Sequence, residues 1–262
     1  MMQTHLTVRG LVIRETAFHD ADKLIDLLTD EGIRTVQARS VRKPGSKYAA
    51  QTQLFAYGEY CLRCSGERFY LDSAVSLEQF YGLRTDLEAL ALASYFSELV
   101  RRTATDQPQP QILRLFLLSL HYLSEHSRPV PLVKAVFELR LVTELGMMPN
   151  LVCCAVCLEY MPAKPVLRIC EADMVCADCA DAAGTYPELM PVRQSVLLAV
   201  RHVIYVEYER LFQFRLKGES AVQFYDYAEH FLLHRLGLGF QTLRFYHSLT
   251  DHEQWSGESG IL

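Results

Sequence analysis

The segment Asp22–Val41, DKLIDLLTDEGIRTVQARSV, decides how the first third of the chain is read. Its second half puts Ile33, Thr35, Gln37, Arg39 and Val41 on one side of an extended run, and Asp30-Glu31-Gly32 before it has the composition of a turn. Its first half is ambiguous. The apolar residues of Asp22–Leu28 do not alternate cleanly, so a helix competes with a strand. Read as a strand, Asp22–Thr29 joins similar segments on either side: Thr7–Arg14 before it, then Leu54–Cys64 and Arg68–Val75, which meet at the turn Ser65-Gly66-Glu67. Five strands within residues 5–76 predict a small closed barrel, because closure leaves no exposed strand edge. The reading places a β domain at 1–80.

After Leu77 the apolar period changes. Asp86–Arg102 spaces Leu87, Leu90, Ala91, Tyr95 and Leu99 at three and four, as an amphipathic helix does, with Asp86 at its positive end. Gln107-Pro108-Gln109-Pro110 interrupts. Further helices are predicted over Ile112–Glu125, Leu132–Leu145, Pro191–Leu211, Val222–Leu236 and around Thr242–Ser248, the Leu132–Leu145 helix closed by Gly146 and Pro149. A helical domain at 81–250 and a flexible tail at 251–262 follow. The class is α+β.

Between the helices stand two C-x-x-C pairs, Cys154/Cys157 and Cys176/Cys179, with eighteen residues between them. Each pair can present two thiolates on one knuckle, and two knuckles can close a tetrahedral site that suits one Zn2+. Four thiolates leave no open position, so such a zinc is structural. A zinc deaminase would need a His or Cys followed by a Glu ahead of the second pair, and none is there. Cys153 could replace Cys154, although the two-residue gap suits the tight turn better. Cys153 and Cys170 are then spare thiols. A module of this size, at 151–181, cannot build its own core, and metal binding supplies the missing free energy.

The chain has 262 residues, half of them apolar, and a net charge of −5. No apolar run approaches the ~18 residues of a membrane span. Met1–Gly10 does not read as a signal peptide, so a cytoplasmic location is expected, where paired cysteines bind metal more often than they form disulfides. Charge is unevenly distributed. No Asp or Glu occurs from Gly32 to Gly58, a stretch that carries Arg34, Arg39, Arg42, Lys43 and Lys47. A cationic tip around Pro44-Gly45-Ser46 can contact phosphates, and Tyr48, Phe55, Tyr57 and Tyr60 are near in sequence. A barrel that binds single strands needs both parts, cations for the backbone and rings for the bases. Core aromatics and a solvated hairpin tip are the plainer alternative.

Other features carry less. Cys61 and Cys64 lie three apart on a strand and so point to opposite faces. His230 and His234 lie four apart on a predicted helix, with no third ligand obvious. Lys134 and Arg140 would rim an apolar groove on the Leu132–Leu145 helix, unless that helix is simply part of the core. No G-x-S-x-G, Walker A, G-x-G-x-x-G or H-E-x-x-H motif occurs, and no small-molecule substrate or enzymatic activity is expected.

Taken in order, Gly10-Leu11-Val12-Ile13, Lys23–Thr29, Glu31-Gly32, the basic loop through Lys47, Leu54–Glu59, Phe137–Leu141, Leu145–Pro149 and Gly239–Phe245 resemble the RecO family of bacterial recombination mediators. The resemblance covers nearly the whole chain. It implies an OB-fold barrel, a helical domain and a structural zinc. It further implies binding of single- and double-stranded DNA, through Arg34, Arg39, Arg42, Lys43, Lys47 and Tyr48 in this chain, and annealing of complementary strands. RecR, and the C-terminal tail of single-strand-binding protein, are the implied protein partners. The tail would lie near Lys134 and Arg140, and with RecR the protein would help load RecA. A nucleoid-associated location in the cytoplasm goes with these roles. The competing reading is a zinc-containing interaction scaffold that never touches DNA.

Overall fold

The computed structural model describes residues 4–105, 107–182 and 188–256, with side chains through 250. The ambiguous segment is a strand. Asp22–Thr29 (β2) lies antiparallel between β1 (Thr4–Phe18) and β3 (Gly32–Ala38). Its alternation is blurred because both faces are covered. Ile25 and Leu27 enter the barrel core, while Leu28 is buried as well, and a helix packs on β2. With β4 (Tyr57–Ser65) and β5 (Arg68–Glu78) the strands close in the order β1-β2-β3-β5-β4. The β3–β5 seam is parallel and short, Val36 opposite Phe69 and Gln37 opposite Tyr70. This is the predicted five-stranded OB-type barrel.

β1 runs well beyond the predicted Thr7–Arg14, because a bulge between Val12 and Arg14 bends it. Its first half pairs with β4 and its second with β2. Gly10 faces Gly58 where these pairings meet, and a Cβ on Gly58 would lie 2.5 Å from the Val75 carbonyl oxygen. No larger residue fits there. The strand predicted from Leu54 starts only at Tyr57. Phe55 takes a left-handed φ of 64°, and its N–H donates to the Val12 carbonyl while the Val12 N–H donates to Ala56. Val12, Ile25, Leu27, Val36, Tyr60 and Leu62 form the barrel core.

The chain divides into two compact units, 1–127 with 240–262, and 128–239. The boundary expected at residue 80 therefore falls inside the first unit. α1 (Leu87–Thr103), α2 (Pro110–Ser124) and α7 (Gln241–Ser256) belong with the barrel. Asp86 caps α1 by accepting from the Ala89 N–H at 3.0 Å. Thr242 of α7 donates to Glu98 of α1 through both its N–H and its hydroxyl. The expected tail at 251–262 begins inside α7 and otherwise lies outside the described residues. The second unit holds α3 (Val130–Glu144), a sheet of β6 (Pro165–Arg168), β7 (Asp173–Cys176) and β8 (Leu189–Pro191), the short α4 (Ala177–Ala182), α5 (Gln194–Tyr205) and α6 (Glu219–Leu236). The helix predicted over Pro191–Leu211 is shorter, since Val206 is extended. No helix among the described residues is long and apolar enough to cross a membrane.

Candidate metal centre and nucleic-acid interface

The first cysteine knuckle is a loop tied to the β6–β7 hairpin. The Cys154 N–H donates to the Glu159 carbonyl at 2.8 Å, and the Ala155 N–H to Met174 on β7 at 2.9 Å. Cys176 ends β7, and Cys179 lies in α4 directly after it. The four sulfurs lie within 4.8 Å of one another, with Cys157 to Cys176 at 3.7 Å and Cys154 to Cys176 at 4.0 Å. A tetrahedral ion with metal–sulfur bonds of about 2.3 Å holds its sulfurs roughly 3.8 Å apart, so the donors fit such an ion. Cys154, not Cys153, is the residue whose sulfur joins the cluster.

Without a cation between them the thiols conflict electrostatically. Burial opposes ionisation of Cys154, yet N–H groups of Cys157, Val156 and Cys176 aimed at its sulfur bring it down to about 6. The neighbouring Cys176 side chain, together with burial, pushes Cys179 up to about 12. Close thiols ionise in sequence, each thiolate resisting the next, and a divalent cation removes that resistance.

Sequence reading missed the residue that anchors this centre. Arg201 on α5 is buried. Its Nε donates to the Leu151 carbonyl at 2.6 Å, and its Nη2 donates to the carbonyls of Val152 and Tyr160 at 2.9 and 2.7 Å. One guanidinium thus holds both ends of the first knuckle. Within the hairpin, Arg168 makes a bidentate pair with Asp173. No local motif marks Arg201; its acceptors lie some forty to fifty residues away.

The cationic segment is the connection from β3 to β4, and it is ordered. Asp22 accepts from the Ser40 N–H and from Gln37 Nε2, both at 2.8 Å, and the Arg42 N–H donates to the Ala21 carbonyl at 2.9 Å. Successive turns follow, with Ser46 bonded back to Lys43 at 3.1 Å. Arg39, Arg42, Lys43 and Lys47 are exposed. Arg42 donates to the His19 carbonyl, Arg39 lies 4.7 Å from the Tyr70 ring centre and Lys47 4.7 Å from Tyr48. Among the described residues none of these four is ion-paired to a carboxylate. Arg34 differs. It pairs with Glu31 and lies half-buried over Phe69.

The aromatic residues divide in the same way. Phe55 and Tyr60 are core residues, the Tyr60 hydroxyl donating to the Gln51 carbonyl at 2.8 Å, and Tyr48 is half-buried against the barrel core. The ring that does stand with the cations is one that sequence reading passed over. Tyr70 on β5 lies opposite Gln37 of β3 and Arg63 of β4, with the Arg63 guanidinium 4.8 Å from its centre. Strand parity held the signal, since Tyr70 follows the core-packed Phe69.

One further expectation is corrected. Lys134 and Arg140 do not rim a groove. Lys134 is buried, 2.8 Å from Glu138 and 2.6 Å from Glu229. Arg140 pairs with Glu144, and its Nη1 donates to the carbonyls of Val203, Ile204 and Val206 at 3.0–3.2 Å, closing the C-terminal end of α5. α3 is apolar around most of its circumference, so its cations turn to internal acceptors. Cys61 and Cys64 are half-buried on β4 and belong to no metal-ligating group among the described residues.

Comparison with known proteins bears on the whole chain. Residues 2–80 match the family model Recombination protein O N terminal, and residues 84–244 match Recombination protein O C terminal. The DNA repair protein RecO of Symbiobacterium thermophilum is 33% identical over 222 residues, covering 82% of this chain and 86% of that protein. Those of Acetivibrio thermocellus and Bacillus subtilis are each 25% identical, over 94% and 95% of this chain and 97% of each relative.

Proposed function

The chain belongs to the RecO family of DNA repair proteins, and from that premise we propose that it is a recombination mediator that acts by binding, not by making bonds. One observation carries the reading: Arg39, Arg42, Lys43 and Lys47 stand exposed on an ordered loop without carboxylate partners among the described residues, beside the Tyr70 ring. Such cations attract phosphates of single- and double-stranded DNA independently of sequence. By offsetting repulsion between two backbones they let complementary strands approach, and contacts confined to the backbone leave base edges free to pair. The net charge of −5 favours modest, salt-sensitive affinity and recruitment through protein partners. RecR and the tail of single-strand-binding protein are the partners we assign, with RecA loading as the outcome and the bacterial cytoplasm as the place. Lys134 and Arg140 are not offered as tail contacts, because both serve internal acceptors. Zn2+ is the ion we assign to Cys154, Cys157, Cys176 and Cys179. Four thiolates close its coordination, so it braces the knuckles and takes no part in DNA chemistry.

A scaffold that never contacts DNA is the second reading, favoured by the exposed apolar side chains of Val156, Leu158 and Tyr160 at the first knuckle. Fluorescence anisotropy with a single-stranded oligonucleotide separates the two. Replacing Arg39, Arg42 and Lys43 together with Ala should weaken binding and flatten the salt dependence by roughly 0.7 for each phosphate no longer neutralised, about 2 in all. An unchanged slope, or no binding by the parent protein, rejects the DNA reading.

A further inference from the structure

A second group of metal-ligating side chains converges in the 128–239 unit, away from the four-cysteine centre. Cys170 follows β6, Glu188 precedes β8, and His234 lies on α6; their donor atoms are within 4.8 Å of one another. A Glu188 carboxylate oxygen lies 3.4 Å from His234 Nδ1 and 3.9 Å from Cys170 Sγ. The backbone holds them near. β6 and β8 are antiparallel neighbours, and the Ile169 N–H donates to the Glu188 carbonyl at 3.3 Å.

We propose that Cys170, Glu188 and His234 are three ligands of a second metal site, open where the first is closed, for a divalent transition ion such as Zn2+ or Co2+. One thiolate, one imidazole and one carboxylate form a donor set of the type these ions accept. With bonds of about 2.0–2.3 Å in tetrahedral geometry, the nitrogen–oxygen and sulfur–oxygen separations are about 3.4 and 3.6 Å. The nitrogen–oxygen separation already matches, and the sulfur–oxygen one needs only a few tenths of an ångström of adjustment. Cys170 is half-buried, and Glu188 and His234 are exposed, so an ion can enter.

The fourth position is what distinguishes this site. Glu188 and His234 line a cavity of about 550 Å3, whose wall also includes Met190 and His230. His230 stands one helical turn before His234 and shares its side of α6. Either water or that imidazole completes the coordination. The ion would tie the ends of β6 and β8 to α6, elements that the four cysteines do not connect.

The test uses the full chain loaded with Co2+, counted by elemental analysis after desalting and followed by absorption. The parent protein should hold two equivalents. The second should bring roughly one quarter of the thiolate-to-cobalt absorption of the first, one sulfur against four. Glu188→Gln and His234→Ala should each weaken the second equivalent more than ~100-fold, beyond what loss of an outer-shell partner costs, and leave the absorption of the four-cysteine centre as proof of folding. A single equivalent in the parent, a second one without thiolate absorption, or variants that keep two would overturn the proposal. The absorption criterion needs only the parent protein, so it decides the matter even if a variant fails to fold.

Discussion

In the first unit Arg39, Arg42, Lys43 and Lys47 stand in solvent along the β3–β4 connection. In the second, Lys134, Arg140 and Arg201 are enclosed by carboxylates and carbonyl oxygens. The difference lies in the acceptors within reach. From Gly32 to Gly58 the chain offers no acidic side chain, so those cations have no carboxylate close by in their own segment. On α3 both cations have a glutamate four residues on, Glu138 and Glu144, which is the spacing that brings side chains together on a helix. Whether these cations stand in solvent or are enclosed follows from the acceptors beside them.

The largest effect expected from testing this contrast is confined to the second unit. Metal removal by chelation, or Cys176→Ser, should withdraw on the order of 10 kcal/mol of folding free energy from the cysteine module, comparable with the whole stability of an ordinary domain. Hydrogen exchange should show protection lost over residues 150–182 while the barrel strands keep theirs, and oligonucleotide binding should persist. Equal loss of protection in both regions would break the contrast.

Lys134→Ala is next. It leaves Glu138, which is fully buried, without its cation, a change that costs about 3–5 kcal/mol. Burial alone would lower the Lys134 pKa, but Glu138 and Glu229 together raise it, so the lysine is charged at neutral pH. Denaturant unfolding should show the loss, and pairing Lys134→Met with Glu138→Leu should recover most of it. A variant as stable as the parent would mean that the triad is not a strut.

Much of this was legible in sequence, and the failures share a cause. Strand and helix periods, the Asp86 cap and the paired cysteines are local, and the structure agrees with them. The misplaced residues depend on partners distant in the chain. Phe55 turns inward because Val12 holds it, and Arg201 reaches carbonyls about fifty residues back. Lys134 and Arg140 could have been placed, since Glu138 and Glu144 stand at the pairing distance. The cavity group of Cys170, Glu188 and His234 spans sixty-four residues and leaves no pattern.

A smaller effect probes how the exposed cations are aimed. The guanidinium groups of Arg39 and Arg63 both lie against the Tyr70 ring, contacts of about 0.5–1 kcal/mol at exposed sites. Tyr70→Ala should reduce single-strand affinity by roughly two- to fivefold, with thermal stability nearly unchanged. Affinity equal to the parent's would show that Arg39 needs no support to work.

The smallest effect concerns how a cationic loop can be ordered without being neutralised. Asp22 is an acid at its base, and it gives its oxygens to the Ser40 N–H and to Gln37. Those bonds hold its carboxyl below the ordinary value of 3.8, the Ser40 N–H contributing most, and Arg39 adds only a minor attraction. The sign follows from the folded form being the stronger acid: the anchor is fully present above about pH 4 and weakens as pH falls through the depressed value. The Ser40 amide resonance should therefore stay unchanged on acidification to about pH 4 and shift below it. In Asp22→Ala that titration should vanish, and the loop should exchange faster even at neutral pH. A midpoint above 3.8 would instead mean that the carboxylate gains nothing from the loop. The loop would then owe its order to its turns alone, and the separation between an anchoring acid and free cations would fail.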